Sequence, residues 1–168
     1  MPDNSFLVEL VDVFDEMGRV VESVTRAEMR ERNLLHRSVF IVVRSAIGEV
    51  LVHRRADWKD IWPSKWDVAV GGVVATGEAW ELAASRELAE ELGVGGELAY
   101  LGEGTYEDES VREIGRIYQV HSDGPFAFSD EEIVEVAWVS LDSLSEWAST
   151  TDVCPDSLFL VLPRLDAP

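Results

Sequence analysis

Three glutamates crowd one short stretch of the chain, in the segment Arg86-Glu87-Leu88-Ala89-Glu90-Glu91. Residues three and four apart on a helix are neighbours, so Glu87, Glu90 and Glu91 should present their carboxylates to roughly one side. Like charges at that spacing destabilise a helix unless a positive charge lies among them. A hard divalent cation, which prefers oxygen ligands, is the simplest such charge. The spacing therefore predicts a metal site, with a solvated glutamate-rich helix face as the alternative.

The residues on either side of this cluster favour the metal site. Gly71-Gly72 ends an apolar run and Gly77-Glu78 precedes the predicted helix. The resulting order of strand, glycine loop and helix is common at ion and phosphate sites. Arg86 lies four residues before Glu90 and can pair with it, while Gly93 follows the last apolar position as a helix stop.

The segment from residue 72 to residue 94 resembles the Nudix box. That pattern reads Gly, five residues, Glu, seven residues, Arg-Glu, an aliphatic, any residue, Glu-Glu, any residue, Gly, an aliphatic. The chain meets every fixed position, with Gly72, Glu78, Arg86, Glu87, Leu88, Glu90, Glu91, Gly93 and Val94. The resemblance implies the Nudix fold, an α/β fold in which a mixed β-sheet lies between helices as an α/β/α sandwich.

The resemblance also implies a cofactor and a reaction. Glu87, Glu90 and Glu91, with the Gly72 carbonyl as a further ligand, are expected to bind Mg²⁺ or Mn²⁺. The expected reaction is the hydrolysis of a phosphoanhydride bond in a nucleoside diphosphate linked to another group. The predicted catalytic residues are the three glutamates and Arg86, with Glu90 or Glu91 helping to deprotonate water and Arg86 orienting a carboxylate.

Four further residues are predicted to contact the substrate. The guanidinium groups of Arg54 and Arg55 match phosphate oxygens, although strand alternation sends them to opposite faces, so at most one should point inward. Some Nudix enzymes use a carboxylate from a later loop as the general base, which makes Glu132 and Glu135 candidates. An acidic loop that only keeps the surface soluble is the alternative for both.

The earlier half of the chain resembles one branch of the superfamily, the isopentenyl-diphosphate isomerase-like group, through residues 34–37 and 62–67. True isomerases of that branch carry a cysteine and a histidine just before the box, and those positions fall on Gly71 and Val73. Neither residue can donate or accept the protons that isomerisation requires. Isomerisation is therefore disfavoured but stays an alternative, as does a catalytically inactive nucleotide-sensing module, against which the intact box argues.

Length and composition bound the remaining possibilities. The 168 residues predict a single domain, with a core at about residues 8–145 and a C-terminal helical segment at residues 155–165. A net charge of −19 argues against a long nucleic acid as partner and is compatible with a small phosphorylated substrate. The lack of a long apolar stretch and the single cysteine, Cys154, predict a cytoplasmic protein without a membrane contact. A homodimer is left open.

Hydrophobic periodicity predicts the elements that must position these residues. Residues 8–14 and 19–24 are predicted as strands before a short helix, and residues 39–43 should form a hairpin with residues 49–53. Residues 66–74 are predicted as one strand that leads to the glycines, and residues 79–92 as the box helix. Later strands are predicted at residues 98–106, 113–121 and 133–139, and helices at residues 141–148 and 157–165.

Overall fold

The computed structural model describes residues 9–128 and 131–165, so the start of the first predicted strand, at residue 8, lies outside the described residues. The elements within these ranges are β1 (Leu10–Phe14), β2 (Val20–Thr25), α1 (Arg26–Glu31), β3 (His36–Arg44), β4 (Val50–Arg55), β5 (Trp66–Asp67), β6 (Val70–Val73), α2 (Trp80–Leu92), β7 (Ala99–Glu107), β8 (Arg112–His121), β9 (Ile133–Val139), α3 (Leu141–Ser149), α4 (Pro155–Leu160) and α5 (Leu162–Leu165).

A mixed β-sheet forms the centre of the molecule. Its strand order is β5-β4-β3-β8-β7, with β6 paired to β3 and β9 paired to β4. Strand β3 runs parallel to β8 along its whole length and antiparallel to β6. The continuous apolar run at residues 39–43 lies in β3, where both faces of the strand are buried, and this burial explains why the run shows no alternation.

Helices cover both faces of this sheet. Val39, Ile41 and Val43 pack against α2 on one face. Phe40 and Val42 point to the other face, where they pack with the C-terminal helices. This arrangement is the predicted α/β/α sandwich, so the predicted fold is confirmed. Within the described ranges, none of the helices has the length and apolar character needed to cross a membrane.

A separate two-stranded sheet, β1–β2, leads into α1 and packs beside the main sheet. The Thr25 hydroxyl accepts a hydrogen bond from the Glu28 amide and so caps α1, as the capping-box spacing predicts. Met29 of α1 packs in a small core with Val73 of β6. The Thr76 hydroxyl donates to Asp12 Oδ1 at 3.0 Å. The N-terminal segment therefore contacts both the strand and the loop that lead to α2.

The predicted hairpin of residues 39–43 with residues 49–53 is wrong in its pairing. Strands β3 and β4 are antiparallel neighbours, but their register consists of the single pair Arg44–Val50. The rest of β4 pairs with β5 and β9, and the rest of β3 pairs with β6 and β8. A local sequence pattern indicates that two strands flank a turn. It does not identify the partners of these strands that come from distant parts of the chain.

Two other predicted elements are interrupted. The strand at residues 66–74 breaks between β5 and β6, where Asp67 Oδ1 accepts hydrogen bonds from the amides of Val68 and Ala69 at 2.8 and 3.3 Å. A side chain that bonds the following amides in this way replaces the strand ladder with a turn. The helix predicted at residues 157–165 begins earlier, at Pro155, and divides into α4 and α5 next to Pro163, whose ring removes a backbone donor.

Candidate functional site

Helix α2 carries the box glutamates, and Arg86 lies among them. The helix ends as predicted at Gly93, which adopts the left-handed conformation with φ of 67°. Arg86 Nε and Nη2 donate to the two oxygens of Glu78 at 2.8 and 2.9 Å. Arg86 Nη1 donates to Glu87 Oε1 at 2.8 Å and to Glu90 Oε2 at 3.3 Å. The predicted pairing of Arg86 with Glu90 is confirmed, and Arg86 supplies a positive charge within the cluster.

These contacts set the protonation of the cluster. The hydrogen bonds to Glu78 raise the pKa of Arg86, and the same bonds lower the pKa of Glu78. Glu78 also accepts a hydrogen bond from the Ala75 amide at 3.1 Å, so it ties the loop to the helix start. Burial raises the pKa of Glu87, while the nearby Arg86 acts in the opposite direction. Arg86 therefore keeps charge on groups that burial would neutralise.

The two glycines of β6 have different roles. A Cβ atom on Gly72 would lie 2.5 Å from Glu87 Oε1, so glycine here leaves space for the Glu87 carboxylate to approach the strand. A Cβ atom on Gly71 would lie 1.8 Å from the Val39 carbonyl oxygen in the neighbouring strand, which excludes any side chain at this position in this backbone. The Gly71 amide donates to Glu91 Oε2 at 3.3 Å, so the glycines bring β6 against the carboxylates of α2.

The oxygen donors of the box fit a hard divalent cation in chemistry. Among the described residues, no group of three or more His, Cys, Asp or Glu side chains is arranged to hold a metal ion. Arg86 explains this, because its guanidinium engages Glu87 and Glu90 from between them. Carboxylates are nevertheless the ligands that such ions prefer. The carboxylate of Glu87 occupies the space that a side chain at Gly72 would fill.

A cavity of about 90 Å³ adjoins the glycines and the box helix. Gly71, Gly72 and Glu91 form one wall of it. Its cationic lining residues are Arg26, Arg30, Arg55 and Lys59. Its acidic and histidine lining residues beyond Glu91 are His53, Asp67, Glu113 and Asp156, which we call the cavity floor.

The cavity floor is buried, and burial controls its charge. Glu113 and Asp156 are 4% and 8% exposed, and desolvation raises the pKa of both carboxyls. Desolvation also lowers the pKa of His53 to about 4, and within the described part of the chain its Nδ1 atom has no hydrogen-bond partner. Burial thus favours the neutral forms of these three side chains.

The structure separates the four residues predicted to contact substrate. Arg55 lines the cavity, and its Nε and Nη2 donate to the Ile61 carbonyl at 3.2 and 2.9 Å. Arg54 pairs instead with Glu135 of β9 at 3.1 Å, and neither of these two lines the cavity. Glu132 pairs with the cavity residue Lys59 at 3.0 Å. The alternation of β4 accounts for the different surroundings of the two arginines.

Sequence reasoning gave no role to several residues that the fold brings to the cavity. Asp67, Glu113 and Asp156 are far apart in sequence and lie in no common motif. Arg26 and Arg30 offered one signal, because like charges four apart on a short helix repel each other. That signal was too weak to identify a site without the position of α1.

Comparisons with known proteins agree with this geometry. The family model of the NUDIX domain matches residues 34–156. An uncharacterised Nudix hydrolase of Yersinia pestis is 40% identical over 153 residues, which cover 90% of this chain and 83% of that protein. The crystal structure of DR0079 from Deinococcus radiodurans superposes with a TM-score of 0.79 at 26% identity, covering 95% of this chain and 100% of that one.

A more distant solved structure shares the fold alone. The NUDIX domain of Shewanella oneidensis NrtR, crystallised in complex with ADP ribose, has a TM-score of 0.62 at 19% identity and covers 84% of this chain and 96% of that one. The fold is therefore common to proteins with little sequence in common.

Proposed function

Because the chain belongs to the Nudix hydrolase family, we propose that it is a metal-dependent hydrolase of a phosphoanhydride bond in a nucleoside diphosphate linked to another group. The observation that carries this proposal is the approach of the Glu87 and Glu91 carboxylates to Gly72 and Gly71. It places charged oxygens of α2 against the wall of a cavity with four cationic side chains. A phosphorylated ligand and a divalent cation both suit that combination.

Five residues of the box and one residue of β4 have proposed roles. Glu87, Glu90, Glu91 and the Gly72 carbonyl would hold Mg²⁺ or Mn²⁺, which when bound neutralises phosphate charge and lowers the pKa of a water ligand. Glu90 or Glu91 would accept a proton from the attacking water. Arg86 would orient Glu87 and Glu90, to which it is hydrogen-bonded. The guanidinium of Arg55 would contact a phosphate oxygen.

The two side chains needed for the isomerase alternative are missing from this site. Gly71 stands where the isomerases carry cysteine, and the Val39 carbonyl leaves no room for a side chain there. Val73 stands where they carry histidine, and its side chain belongs to the apolar core formed with Val11 and Met29. These observations count against proton-transfer chemistry, while membership of the isomerase-like branch stays a prediction from residues 34–37 and 62–67.

The biological setting is also a proposal. We propose that residues 1–168 act as one Nudix domain in the cytoplasm on a small nucleotide-derived substrate, as the ADP ribose bound to the NrtR domain suggests. The acidic composition supports the exclusion of long nucleic acids. Association into a homodimer stays a prediction.

The proposal is tested by measuring phosphate and nucleoside monophosphate release from nucleoside diphosphates, dinucleotides and nucleotide sugars with saturating Mg²⁺ or Mn²⁺. Glu90→Gln and Glu91→Gln should each lower kcat on the order of 100-fold or more, because a neutral amide binds a divalent cation weakly and cannot accept a proton from water. Glu97→Gln, at an exposed position outside the box, is the matched control and should keep full activity.

Two outcomes would contradict the proposal. No turnover on the whole panel, combined with nucleotide binding, would indicate the sensing module instead. An allylic isomer formed from isopentenyl diphosphate would indicate the isomerase.

A further inference from the structure

Helix α1 brings two arginines to the cavity from outside the family-matched residues 34–156. Arg26 and Arg30 are one helical turn apart and both line the cavity. The helix is held in place by the Thr25 cap and by the buried Met29. Since two like charges at this spacing destabilise a helix, their common position is better explained by an anion that they share.

Arg30 has hydrogen-bonding capacity that the protein leaves unused. Its side chain is 20% exposed, and its Nε forms an ion pair with Asp60 at 3.5 Å. Across the described residues, neither Nε nor Nη1 of Arg30 has a hydrogen-bond partner. A buried donor on a charged group that makes no hydrogen bond is costly, so an anionic acceptor in the cavity would be bound favourably.

The other two cations of the cavity are already engaged. Two nitrogens of Arg55 donate to the Ile61 carbonyl, and Lys59 pairs with Glu132. The contacts of Arg55 and Lys59 hold these two side chains in place in the cavity lining. Arg30 is therefore the cavity cation with two buried nitrogens still open to an acceptor.

The net field in the cavity favours an anion over a second cation. Four cations line it against the carboxylates of Asp67 and Glu91, and burial favours the neutral form of Glu113 and Asp156. The cavity volume of about 90 Å³ limits the size of the occupant. Pockets for drug-sized ligands measure roughly 300–1,000 Å³, so this smaller cavity suits a compact phosphoryl group better than a nucleoside.

We propose that Arg26 and Arg30 bind the terminal, anionic end of the substrate in this cavity, with the nucleoside outside it. This inference rests on the proposed function, which it extends by assigning specificity to α1. The enzyme then prefers substrates whose second group is small and charged, such as a further phosphate, over substrates that carry a bulky neutral group such as a sugar.

Thermal unfolding with inorganic pyrophosphate in EDTA tests the anion site without metal and without turnover. Pyrophosphate should raise the Tm of the wild-type protein and of Arg32→Gln, a control at the end of the same helix whose side chain pairs with Glu22 and Glu28. The rise should be lost in Arg30→Gln and reduced in Arg26→Gln. Arg30→Lys should restore part of it, because the charge remains and the planar guanidinium does not.

Kinetics provide the second readout on whichever panel substrate is turned over. Arg30→Gln should raise KM about 10-fold, with kcat changed much less, because the contact is made in the ground state and the transition state alike. An equal pyrophosphate effect in wild type and the Arg26→Gln/Arg30→Gln double variant would overturn the inference and leave the hydrolase proposal intact. Variant-sensitive pyrophosphate binding without any turnover would overturn the hydrolase proposal and leave the anion site intact.

Discussion

Two acidic regions of the molecule differ in the main influence on their carboxyl groups. In the first, the box cluster of Glu78, Glu87 and Glu90, one guanidinium engages every member. In the second, the cavity floor, Glu113 and Asp156 lie side by side, and burial is the largest influence on both. Glu78 accordingly has a lowered pKa, whereas burial raises the pKa of Glu87 against the effect of Arg86 and raises the pKa of both floor carboxyls.

The comparison shows that charge count alone says little about a site. A cluster that appears as repulsion in the sequence is largely compensated by Arg86, which the same helix provides. Glu113 and Asp156 show no repulsion in the sequence because they are far apart there. In the folded protein they are neighbours, and burial opposes the ionisation of both carboxyl groups. The first region is therefore suited to carry charged ligands for a cation, and the second to favour neutral polar groups beneath a bound anion.

The largest expected effect comes from the two glycines where the regions meet. Gly71→Ala should destabilise the fold by more than about 3 kcal/mol, because its Cβ overlaps the Val39 carbonyl within the sheet. Gly72→Ala contacts only the flexible carboxylate of Glu87, so the fold should survive while kcat falls on the order of 100-fold through displacement of that ligand. Denaturant unfolding and steady-state kinetics of both variants separate the two effects. A stable Gly71→Ala protein would show that β6 does not pair with β3 as described.

An intermediate effect is expected from the same substitution in each region. Glu78→Gln should destabilise the folded protein by about 1 kcal/mol at pH 7. Because the pKa of Glu78 is lower in the folded than in the unfolded chain, its ionised form stabilises the fold above the unfolded-state pKa. That stabilisation is lost as the pH falls through the folded-state pKa. Glu113→Gln should instead stabilise the folded protein at alkaline pH. Because the pKa of Glu113 is raised in the folded chain, the wild-type protein loses stability as the pH rises above about 4.5, the ordinary glutamate value, and glutamine removes that loss.

Urea unfolding of both variants between pH 4 and pH 9 measures these changes. The Glu113→Gln difference should vanish toward pH 4, where this carboxyl is protonated in folded and unfolded chains, whereas the Glu78→Gln difference should begin to diminish only below about pH 4.5. Shifts of the same sign at pH 8 would contradict the contrast between the two regions.

The smallest expected effect is thermal stabilisation by metal, which should involve the carboxylates of Glu87, Glu90 and Glu91 and not the cavity floor. Mg²⁺ at about ten times its Kd should add roughly 1.4 kcal/mol, or a few degrees in Tm. Glu91→Gln should lose this increase and Glu113→Gln should keep it. Differential scanning calorimetry over a series of Mg²⁺ concentrations checks both, and an unchanged Tm in the wild type would count against a metal site.

The accuracy of the sequence-based predictions followed the range of the interactions involved. The extent of α2, its stop at Gly93 and the pairing of Arg86 with Glu90 were predictable because they depend on residues within a few positions of each other. The hairpin of β3 with β4 was mispredicted because its strands pair mainly with distant segments. The break at Asp67 was missed because its side-chain bonds to the next two amides are indistinguishable from strand periodicity in the sequence.

The sequence by itself determined the family, the box helix and the set of carboxylates, since nine fixed positions at fixed spacing define one local structure. Only the tertiary structure decided which of Arg54 and Arg55 faces the cavity, which cations surround it and which acids lie beneath them. Those choices depend on strand pairing and on the docking of α1. Long-range packing sets burial, and burial sets the charge of each group.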